Sequence, residues 1–429
     1  MMKIDDIHSL FSKSSGISTD TRTIKKNNIF FCLKGEKFDG NVFIDQAFNL
    51  GASFVIYDKK ELNYKSEKAF KVRNALETLQ ALAKHHRSKF NIPVIGLTGS
   101  NGKTTSKELI NSVLSQKFKI TFTSNNFNNH IGVPLTILEI NSKTDLAIIE
   151  MGANHLGEID LLCDIADPNI GYITNFGKAH LEGFGGIEGV IKGKSELYEY
   201  IRESKGVILV NNDDRIQREK SKGIKSFSFG KSKKSNCLIF NTTSNKGLCE
   251  ARLNDKKIVS NLHGEYNFEN INASIAMGIH FGLSFEQIEN GIKNYIPKNN
   301  RSEMIKTKKN LLFVDSYNAN PTSMKLSIQS FMKFKKVEKI LILGDMHEIG
   351  KTSLIEHERI LNSVKNNKDL KIFLVGRIFN QLKFNSGRIY FFNEIDELIE
   401  YFKKKLVTGH TIFLKGSRKI NLEKVIPIL

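Results

Sequence analysis

Tryptophan is absent from the 429-residue chain, and cysteine occurs only four times, as Cys32, Cys163, Cys237 and Cys249. These cysteines are far apart and form no C-x-x-C pair, which argues against a disulfide framework and against a zinc site. The chain also lacks any run of about 18 consecutive apolar residues, and its first residues, MMKIDDIHSL, lack the apolar run of a signal peptide. We therefore expect reduced, buried thiols, no membrane insertion and a cytoplasmic location.

Positive charge is in excess, since 64 Lys and Arg residues against 45 Asp and Glu residues give a formal net charge of +19. Such an excess can indicate a nucleic-acid partner. However, the lysines are spread along the chain, and short basic runs such as KSKKS are typical of solvated turns. The charge therefore favours small anionic substrates over nucleic acid.

Strand-like apolar runs alternate with helical stretches in three successive segments. NNIFFCL and ASFVIYD indicate a small α/β unit before residue 90, and VIGLTG, DLAIIEMG, IGYITNFG and GVILVNND indicate a mostly parallel sheet after it. A β-rich section is expected at 224–262, followed by a helix at 267–282. After Arg301, the runs NLLFVDS, KILILGDM, KIFLVGR and TIFLKGS predict another parallel sheet, whose strand ends are expected to share a cleft with the second segment.

The stretch VIGLTGSNGKTTSKELI is similar to a phosphate-binding loop, G-x-x-x-x-G-K-[ST], although Leu97 stands where the first glycine is expected. A strand precedes the glycines and a helix follows them, so that backbone N–H groups and the helix N-terminus can face phosphate oxygens. We expect Lys103 to reach the β- and γ-phosphates of a nucleotide and Thr104 to bind Mg²⁺. The alternative is a glycine-rich turn that only connects strand and helix. The residues predicted to bind nucleotide here are Thr98, Gly99, Ser100, Asn101, Gly102, Lys103 and Thr104.

Two further residues follow predicted strands near this loop. Glu150 ends an apolar strand, where a carboxylate is costly unless it faces a cation or leaves the sheet edge for water. His180 follows the next strand and could bind a second metal ion or serve as a hydrogen-bonding surface residue. Such reasoning assigns no role to Lys192 or Lys194. An ammonium is repelled by Mg²⁺, so a lysine close to the metal site must either lie far enough from the ion or be chemically modified.

Motifs of one known family run along nearly the whole chain: STDTR, KGEKFDGNVF, TGSNGKTT, NNFNNHIGVPLTIL, IIEMGANHLGEI, TNFGKAHLEGFG, GKSELY, VDSYNANPTSM, LGDMHEIG and LKGSR. On these motifs the sequence resembles the Mur ligases, whose phosphate loop reads T-G-[ST]-x-G-K-[ST], so that Leu97 is expected. The resemblance implies an α/β protein of three domains. These are a small N-terminal α/β domain that binds the UDP-substrate (1–89), a central P-loop ATPase domain with a mostly parallel sheet (90–299) and a C-terminal Rossmann-like α/β domain (300–429).

The resemblance also implies a metal and catalytic set. Thr104 and Glu150 would bind one Mg²⁺, and His180 would bind a second. A lysine four residues before an aromatic residue is carbamylated by CO₂ in these ligases, and Lys194 has Tyr198 at that offset whereas Lys192 has Glu196. Lys194 is therefore the expected carbamate-bearing metal ligand. Catalytic roles are implied for Lys103, His180 and Lys194.

Further ligand contacts are implied by the same resemblance. The segment YNFEN matches the family's adenine-binding H-N-x-x-N, except that Tyr266 replaces histidine. The remaining nucleotide contacts are then Asn267, Asn270, Arg301 and Asp315. The expected substrate contacts are Asp20, Arg22, Lys34, Gly35 and Asn41 for the uridine diphosphate end, and Asn128, Asn129, Asn318 and Asn320 for the peptides.

The function implied is an ATP-dependent ligase that joins D-alanyl-D-alanine to UDP-N-acetylmuramoyl-tripeptide through an acyl phosphate, in cytoplasmic peptidoglycan precursor synthesis. The expected cofactors are ATP, two Mg²⁺ ions and the carbamate on Lys194, and the expected assembly is a monomer. The alternatives are the ligase that adds the third peptide residue, folylpolyglutamate synthase, or a nucleotide-binding regulator without catalysis.

Overall fold

The computed structural model describes residues 2–62, 64–244, 247–334 and 338–429. Three β-sheets follow one another along the chain, each with helices packed against it, and a short hairpin accompanies the first. This arrangement confirms the predicted mixed α/β class with mostly parallel sheets. No helix in the described part of the chain is long and apolar enough to cross a membrane.

The N-terminal unit has a four-stranded parallel sheet of order β1-β2-β5-β6 and a β3-β4 hairpin. Helix α3 packs against the central unit, and one apolar cluster includes Leu79 of α3 together with Val133 and Ile149 of the central unit. The first two units therefore share a core. The elements are α1 (Ile4–Ser12), β1 (Ile17–Ser18), β2 (Ile29–Phe31), β3 (Lys34–Gly35), β4 (Phe38–Asp39), α2 (Ile44–Asn49), β5 (Phe54–Tyr57), β6 (Ala69–Lys71) and α3 (Ala75–Arg87).

The central unit has a nine-stranded sheet of order β15-β14-β13-β12-β11-β10-β7-β9-β8. Its strands pair in parallel except for β13 with β14 and β14 with β15. The elements are β7 (Val94–Thr98), α4 (Lys103–Leu114), β8 (Ile120–Phe122), α5 (Gly132–Ile137), β9 (Leu146–Glu150), α6 (Glu158–Ala166), β10 (Ile170–Ile173), α7 (Leu181–Phe184), α8 (Ile187–Glu203), β11 (Val207–Asn211), α9 (Arg215–Lys220), β12 (Ser226–Gly230), β13 (Cys237–Thr243), β14 (Leu248–Leu253), β15 (Lys256–His263), α10 (Phe268–His280) and α11 (Phe285–Asn294).

The C-terminal unit has a six-stranded sheet of order β16-β17-β21-β18-β19-β20, parallel except for β16 with β17. Two apolar clusters, one on each face of this sheet, form its own core. The elements are β16 (Glu303–Lys306), β17 (Leu311–Val314), α12 (Pro321–Lys333), β18 (Lys339–Gly344), α13 (Ser353–Val364), β19 (Leu370–Val375), α14 (Arg377–Gln381), β20 (Ile389–Phe392), α15 (Ile395–Lys404) and β21 (Thr411–Lys415).

Three neighbouring interior strands of this sheet, β10, β7 and β9, position the candidate site. All residues of these strands are buried, as expected for interior strands of a parallel sheet covered on both faces. In their register Leu97 pairs with Glu150 and Thr98 pairs with Ile173. The three strands therefore end at one edge, which brings the loops that follow them together.

Candidate active site

The loop between β7 and α4 has the backbone of a phosphate-binding turn. Gly99 has φ +141° and Gly102 has φ +77°, values that side chains disfavour. A Cβ on Gly99 would lie 2.0 Å from Thr174 Oγ1, and one on Gly102 would lie 2.4 Å from Asn270 Oδ1. Helix α4 begins at Lys103, whose ammonium donates to Gly99 O at 2.8 Å. The first-turn N–H groups and this ammonium are therefore arranged as an anion site.

A cavity of about 1540 Å³ lies at this strand edge, between the central and C-terminal units. The two units meet there directly, since Asn320 Nδ2 donates to Asn101 Oδ1 at 2.7 Å. Thr98, Gly99 and Lys194 lie behind the cavity wall. The predicted residues that line the cavity are Ser100, Asn101, Gly102, Lys103, Thr104, Asn128, Asn129, Glu150, His180, Asn267, Asn270, Arg301, Asp315, Asn318 and Asn320.

Glu150 ends β9 with only 1% of its surface exposed. Its Oε1 accepts hydrogen bonds from Thr104 Oγ1 at 3.2 Å and from Asn128 Nδ2 at 2.8 Å. Its Oε2 is buried without a hydrogen-bond partner, and the nearby Lys107 ammonium is 3.5 Å away. A carboxylate oxygen left free beside a threonine hydroxyl fits a Mg²⁺ ion that also binds nucleotide phosphates. Within the described residues no group of three or more His, Cys, Asp and Glu side chains could hold a metal by itself.

The two lysines of α8 have different surroundings. Lys192 is exposed, whereas Lys194 is 1% exposed and donates to Ala153 O at 3.0 Å. The Lys194 ammonium also lies 5.0 Å from the centre of the Phe184 ring. Burial, and secondly the charge of Lys103, hold the pKa of Lys194 well below its usual value. Burial therefore favours the uncharged form of Lys194, whose side chain lies against Ala153, a residue of the cavity wall.

His180 has a left-handed backbone (φ +52°) and faces the C-terminal unit. Its Nδ1 lies 2.5 Å from Glu348 Oε2. Interaction with His180 lowers the pKa of Glu348. The imidazole is thus placed between the phosphate-loop side of the cavity and a carboxylate of the other unit.

The asparagines at the start of α10 form a buried chain of hydrogen bonds to α4. Ser106 Oγ donates to Asn270 Oδ1, and Asn270 Nδ2 donates to Asn267 Oδ1, both at 2.9 Å. Tyr266, which stands in place of the family histidine, lies 3.0 Å from Ser302 Oγ through its hydroxyl. These contacts fix the asparagine side chains against the phosphate loop and tie this segment to the start of the C-terminal unit.

The C-terminal residues of the predicted nucleotide set lie on the opposite side of the cavity. Asp315 Oδ2 is 2.5 Å from Lys415 Nζ and accepts from Ser327 Oγ at 3.2 Å. The Arg301 guanidinium lies 3.6 Å from the centre of the Tyr317 ring, a stacking geometry. Asn318 Oδ1 accepts from Ala319 N, so its amide group is partly used within its own loop.

The predicted uridine-site residues lie outside the wall of this cavity, in the N-terminal unit. Asp20 and Arg22 form an exposed ion pair with each other at 2.5 Å. Lys34 lies 3.3 Å from Asp58 Oδ1. Asn41 is buried and donates to the same oxygen at 3.0 Å, while Gly35 lies against the ring of Phe38. The Asn41 side chain therefore stabilises the fold of this segment.

Three charged residues of the site were not predicted from the sequence. Lys107 is fully buried and donates to Thr123 O at 2.6 Å and Asn125 O at 3.0 Å, next to Glu150. Its position four residues after Lys103, on the same helix face, is the signal that could have identified it. Glu348 and Lys415 come from the C-terminal unit, and only the fold brings them to His180 and Asp315.

Comparison with known proteins agrees with this geometry along the whole chain. Family models described as "Mur ligase family, catalytic domain", "Mur ligase middle domain" and "Mur ligase, glutamate ligase domain" match residues 13–87, 97–278 and 300–418. The UDP-N-acetylmuramoyl-tripeptide--D-alanyl-D-alanine ligase of Bacillus subtilis (strain 168) is 33% identical over 420 residues, which cover 96% of this chain and 92% of that protein.

Solved structures give the same result. A crystal structure of MurF from Acinetobacter baumannii superposes with a TM-score of 0.84 at 30% identity, covering 96% of this chain and 92% of that one. MurF ligase from Thermotoga maritima in complex with ADP has a TM-score of 0.84 at 25% identity, covering 100% and 98%. The chain therefore belongs to the Mur ligase family.

Proposed function

We propose that this chain is an ATP-dependent ligase that joins D-alanyl-D-alanine to UDP-N-acetylmuramoyl-tripeptide by an amide bond. One observation supports this proposal most strongly. The central-unit residues Lys103, Thr104 and Glu150 line the same cavity as Asp315 and Asn320 of the C-terminal unit. The name and full-length similarity of the Bacillus subtilis relative support the choice of substrates. The expected location is the cytoplasm, and the expected state is a monomer without nucleic acid.

In the proposed reaction the C-terminal carboxylate of the tripeptide attacks the γ-phosphorus of ATP, and the bond to the ADP oxygen breaks. The amine of D-alanyl-D-alanine then attacks the acyl carbon of the resulting acyl phosphate, loses a proton and displaces inorganic phosphate. Lys103 and the first-turn N–H groups of α4 hold the phosphates and offset their charge. The asparagine chain of Asn267 and Asn270 holds the nucleotide end, with Arg301 and Asp315 facing it from the other unit.

Metal ions have a defined place in this proposal. Thr104 and Glu150 would hold one Mg²⁺, and His180 with a modified Lys194 would hold a second. When bound, these ions would neutralise charge on the phosphates and on the incoming carboxylate.

We base the modification of Lys194 on its burial, which favours the uncharged amine. The nitrogen lone pair would form a bond to the carbon of CO₂, and one proton would leave the nitrogen, giving an anionic carbamate. The carbamate nitrogen keeps one N–H, so the hydrogen bond to Ala153 O can persist. Only the uncharged amine has the lone pair that this bond needs, and burial lowers the pKa of Lys194, which favours that form.

Peptide and uridine contacts complete the proposal. Asn128 and Asn129, close to Glu150, line the same cavity as Asn318 and Asn320 of the C-terminal unit, so two peptides could meet there. We assign the uridine diphosphate end to the N-terminal residues Asp20, Arg22, Lys34, Gly35 and Asn41. The domain boundaries 1–89, 90–299 and 300–429 stay predictions.

A substrate-pair assay tests the function. Phosphate release and product mass are measured with ATP, UDP-N-acetylmuramoyl-tripeptide and D-alanyl-D-alanine, and in parallel with UDP-N-acetylmuramoyl-dipeptide plus a single amino acid, and with folate plus glutamate. We expect a ligated product only from the first set. Product only from the second or third set would identify the third-residue ligase or folylpolyglutamate synthase, and nucleotide binding without any product would indicate a regulator.

A further inference from the structure

The loop that carries His180 is attached to the C-terminal unit although it belongs to the central unit. We name residues 178–182, which follow β10 and enter α7, the docking loop. The Lys178 backbone N–H donates to Thr322 Oγ1 at 3.1 Å, and the Lys178 ammonium donates to Glu356 Oε1 at 2.9 Å. Leu181 packs between an apolar cluster of the C-terminal unit and the core that the first two units share. Main-chain, charged and apolar contacts thus all hold this loop to the other unit.

The ion pair at the start of the docking loop joins Lys178 to a carboxylate that is almost completely buried. The Glu356 side chain is only 8% exposed, and its Oε1 accepts from both Lys178 and, at 2.7 Å, Arg359 of its own helix. A carboxylate that is this well buried is stable only with cationic partners. Arg359 supplies one such partner from within the C-terminal unit, and Lys178 supplies the other from the central unit. The contact with Lys178 therefore links the two units at a buried carboxylate.

His180 lies two residues beyond Lys178 in a left-handed conformation. Such a conformation costs about 1 kcal/mol or more for a residue with a side chain, and it persists where neighbouring contacts hold it. Contacts to the C-terminal unit are present on both sides, from Lys178 before it and from Leu181 after it, and Glu348 touches the imidazole itself. The C-terminal unit thus supplies contacts directly before, at and after His180.

We propose that Lys178 and Glu356 are positioning residues, which place His180 for the reaction only when the C-terminal unit is docked on the central unit. This inference rests on the proposed ligase function and on the proposed binding of a second metal ion by His180. It makes the second cation site conditional on docking, while the first site, Thr104 with Glu150, lies within the central unit. By linkage, an ion bound at His180 favours docking in turn.

The test replaces Lys178 by Met, which keeps the length of the side chain and removes the charge. We expect kcat for ligation to fall by roughly tenfold or more, because misplacement of a catalytic group is costly, with the KM for ATP within about twofold of wild type. Lys178→Arg should recover most of the rate because it keeps the charge. The control is Lys84→Met, which removes an exposed ion pair between the N-terminal and central units, Lys84 with Asp164 at 2.5 Å, outside the cavity. Its kcat should stay within about twofold of wild type.

A second measurement does not depend on turnover. Mn²⁺ binding in the presence of a non-hydrolysable ATP analogue is followed by electron paramagnetic resonance. We expect the first ion to bind equally in all variants and the second to bind roughly tenfold more weakly in Lys178→Met, as for the loss of a group that orients a metal ligand. Thermal unfolding midpoints identify any variant that fails to fold, and Glu356→Gln, which retains Arg359 as hydrogen-bond donor, then replaces Lys178→Met.

Equal kcat values or equal second-ion affinities in Lys178→Met and Lys84→Met would overturn the inference, since the Lys178–Glu356 pair would then contribute no more than an ordinary ion pair between units. Absence of ligated product from the wild-type protein would refute the proposed function instead. In that case the comparison of Mn²⁺ affinities still decides whether the docking loop controls the second ion.

Discussion

Replacing Gly102 with alanine tests the phosphate-loop geometry most directly. The added Cβ meets two separate obstacles. The backbone is left-handed at φ +77°, and the Cβ would lie 2.4 Å from Asn270 Oδ1. That oxygen accepts from Ser106 Oγ, and the same amide donates to Asn267, so its displacement affects the asparagine chain at the predicted nucleotide site.

The expected loss of stability in Gly102→Ala has two parts. A left-handed conformation costs alanine about 1–2 kcal/mol relative to glycine. Relief of the 2.4 Å contact requires the Asn270 amide to move by roughly 1 Å, which disrupts two buried hydrogen bonds worth about 1 kcal/mol each. We therefore expect Gly102→Ala to lower the free energy of unfolding by about 3–4 kcal/mol.

Gly223 is the matched control, because it has the same φ of +77° and a Cβ there would meet nothing within 4 Å. Gly223→Ala should cost only the conformational part, about 1–2 kcal/mol. Urea denaturation of both variants measures the difference, and ADP binding by calorimetry should weaken in Gly102→Ala alone. Equal losses of stability in the two variants, with ADP affinity unchanged, would refute the assigned contact between the loop and Asn270.

Three further predictions concern buried charge. Lys194→Met should reduce ligation at least about tenfold while Lys192→Met keeps it, and depletion of CO₂ should slow the wild-type enzyme, as measured by product formation. Lys107→Met should lower the free energy of unfolding, measured in urea, by about 3 kcal/mol, because the buried Glu150 carboxylate then lacks the Lys107 ammonium. Adding Glu150→Gln to this variant should restore part of the lost stability. Burial lowers the pKa of His86 in the folded protein. As the pH falls below about 6.5, the unfolded chain therefore binds a proton before the folded chain does, and the free energy of unfolding decreases. His86→Asn should make the urea midpoint less dependent on pH between about pH 7 and 5.

The strands that could be predicted are the buried interior ones. LAIIE of β9 and VIGLT of β7 are continuous apolar runs followed by turn residues, and every position in them is buried. The strands β16 and β20 were not predicted. EMIK of β16 alternates between half-buried and exposed residues, and it pairs only at the edge of its sheet. Its strand state depends on pairing with β17, which local sequence does not encode.

The residues of the candidate site likewise fall into a group that the sequence could predict and a group that it could not. Lys103, Glu150 and His180 follow strands that are neighbours in one parallel sheet, so sheet topology alone brings them to one edge. Glu348 and Lys415 could not be assigned, because their partners lie in a different unit or about 100 residues away. Local patterns cannot specify how two separately folded sheets dock.

The choice between Lys194 and Lys192 can be argued from helix geometry, independently of any family motif. In α8 the buried positions include Val190, Leu197, Tyr198 and Ile201, which form one face at spacings of three and four residues. Lys194 falls on that face and Lys192 does not. An ammonium on the core face of an amphipathic helix costs several kcal/mol unless it loses its charge or gains a partner. A neutral Lys194 removes this cost and is also the form that reacts with CO₂, so the burial that disfavours the ammonium favours the carbamate once a cation can face it.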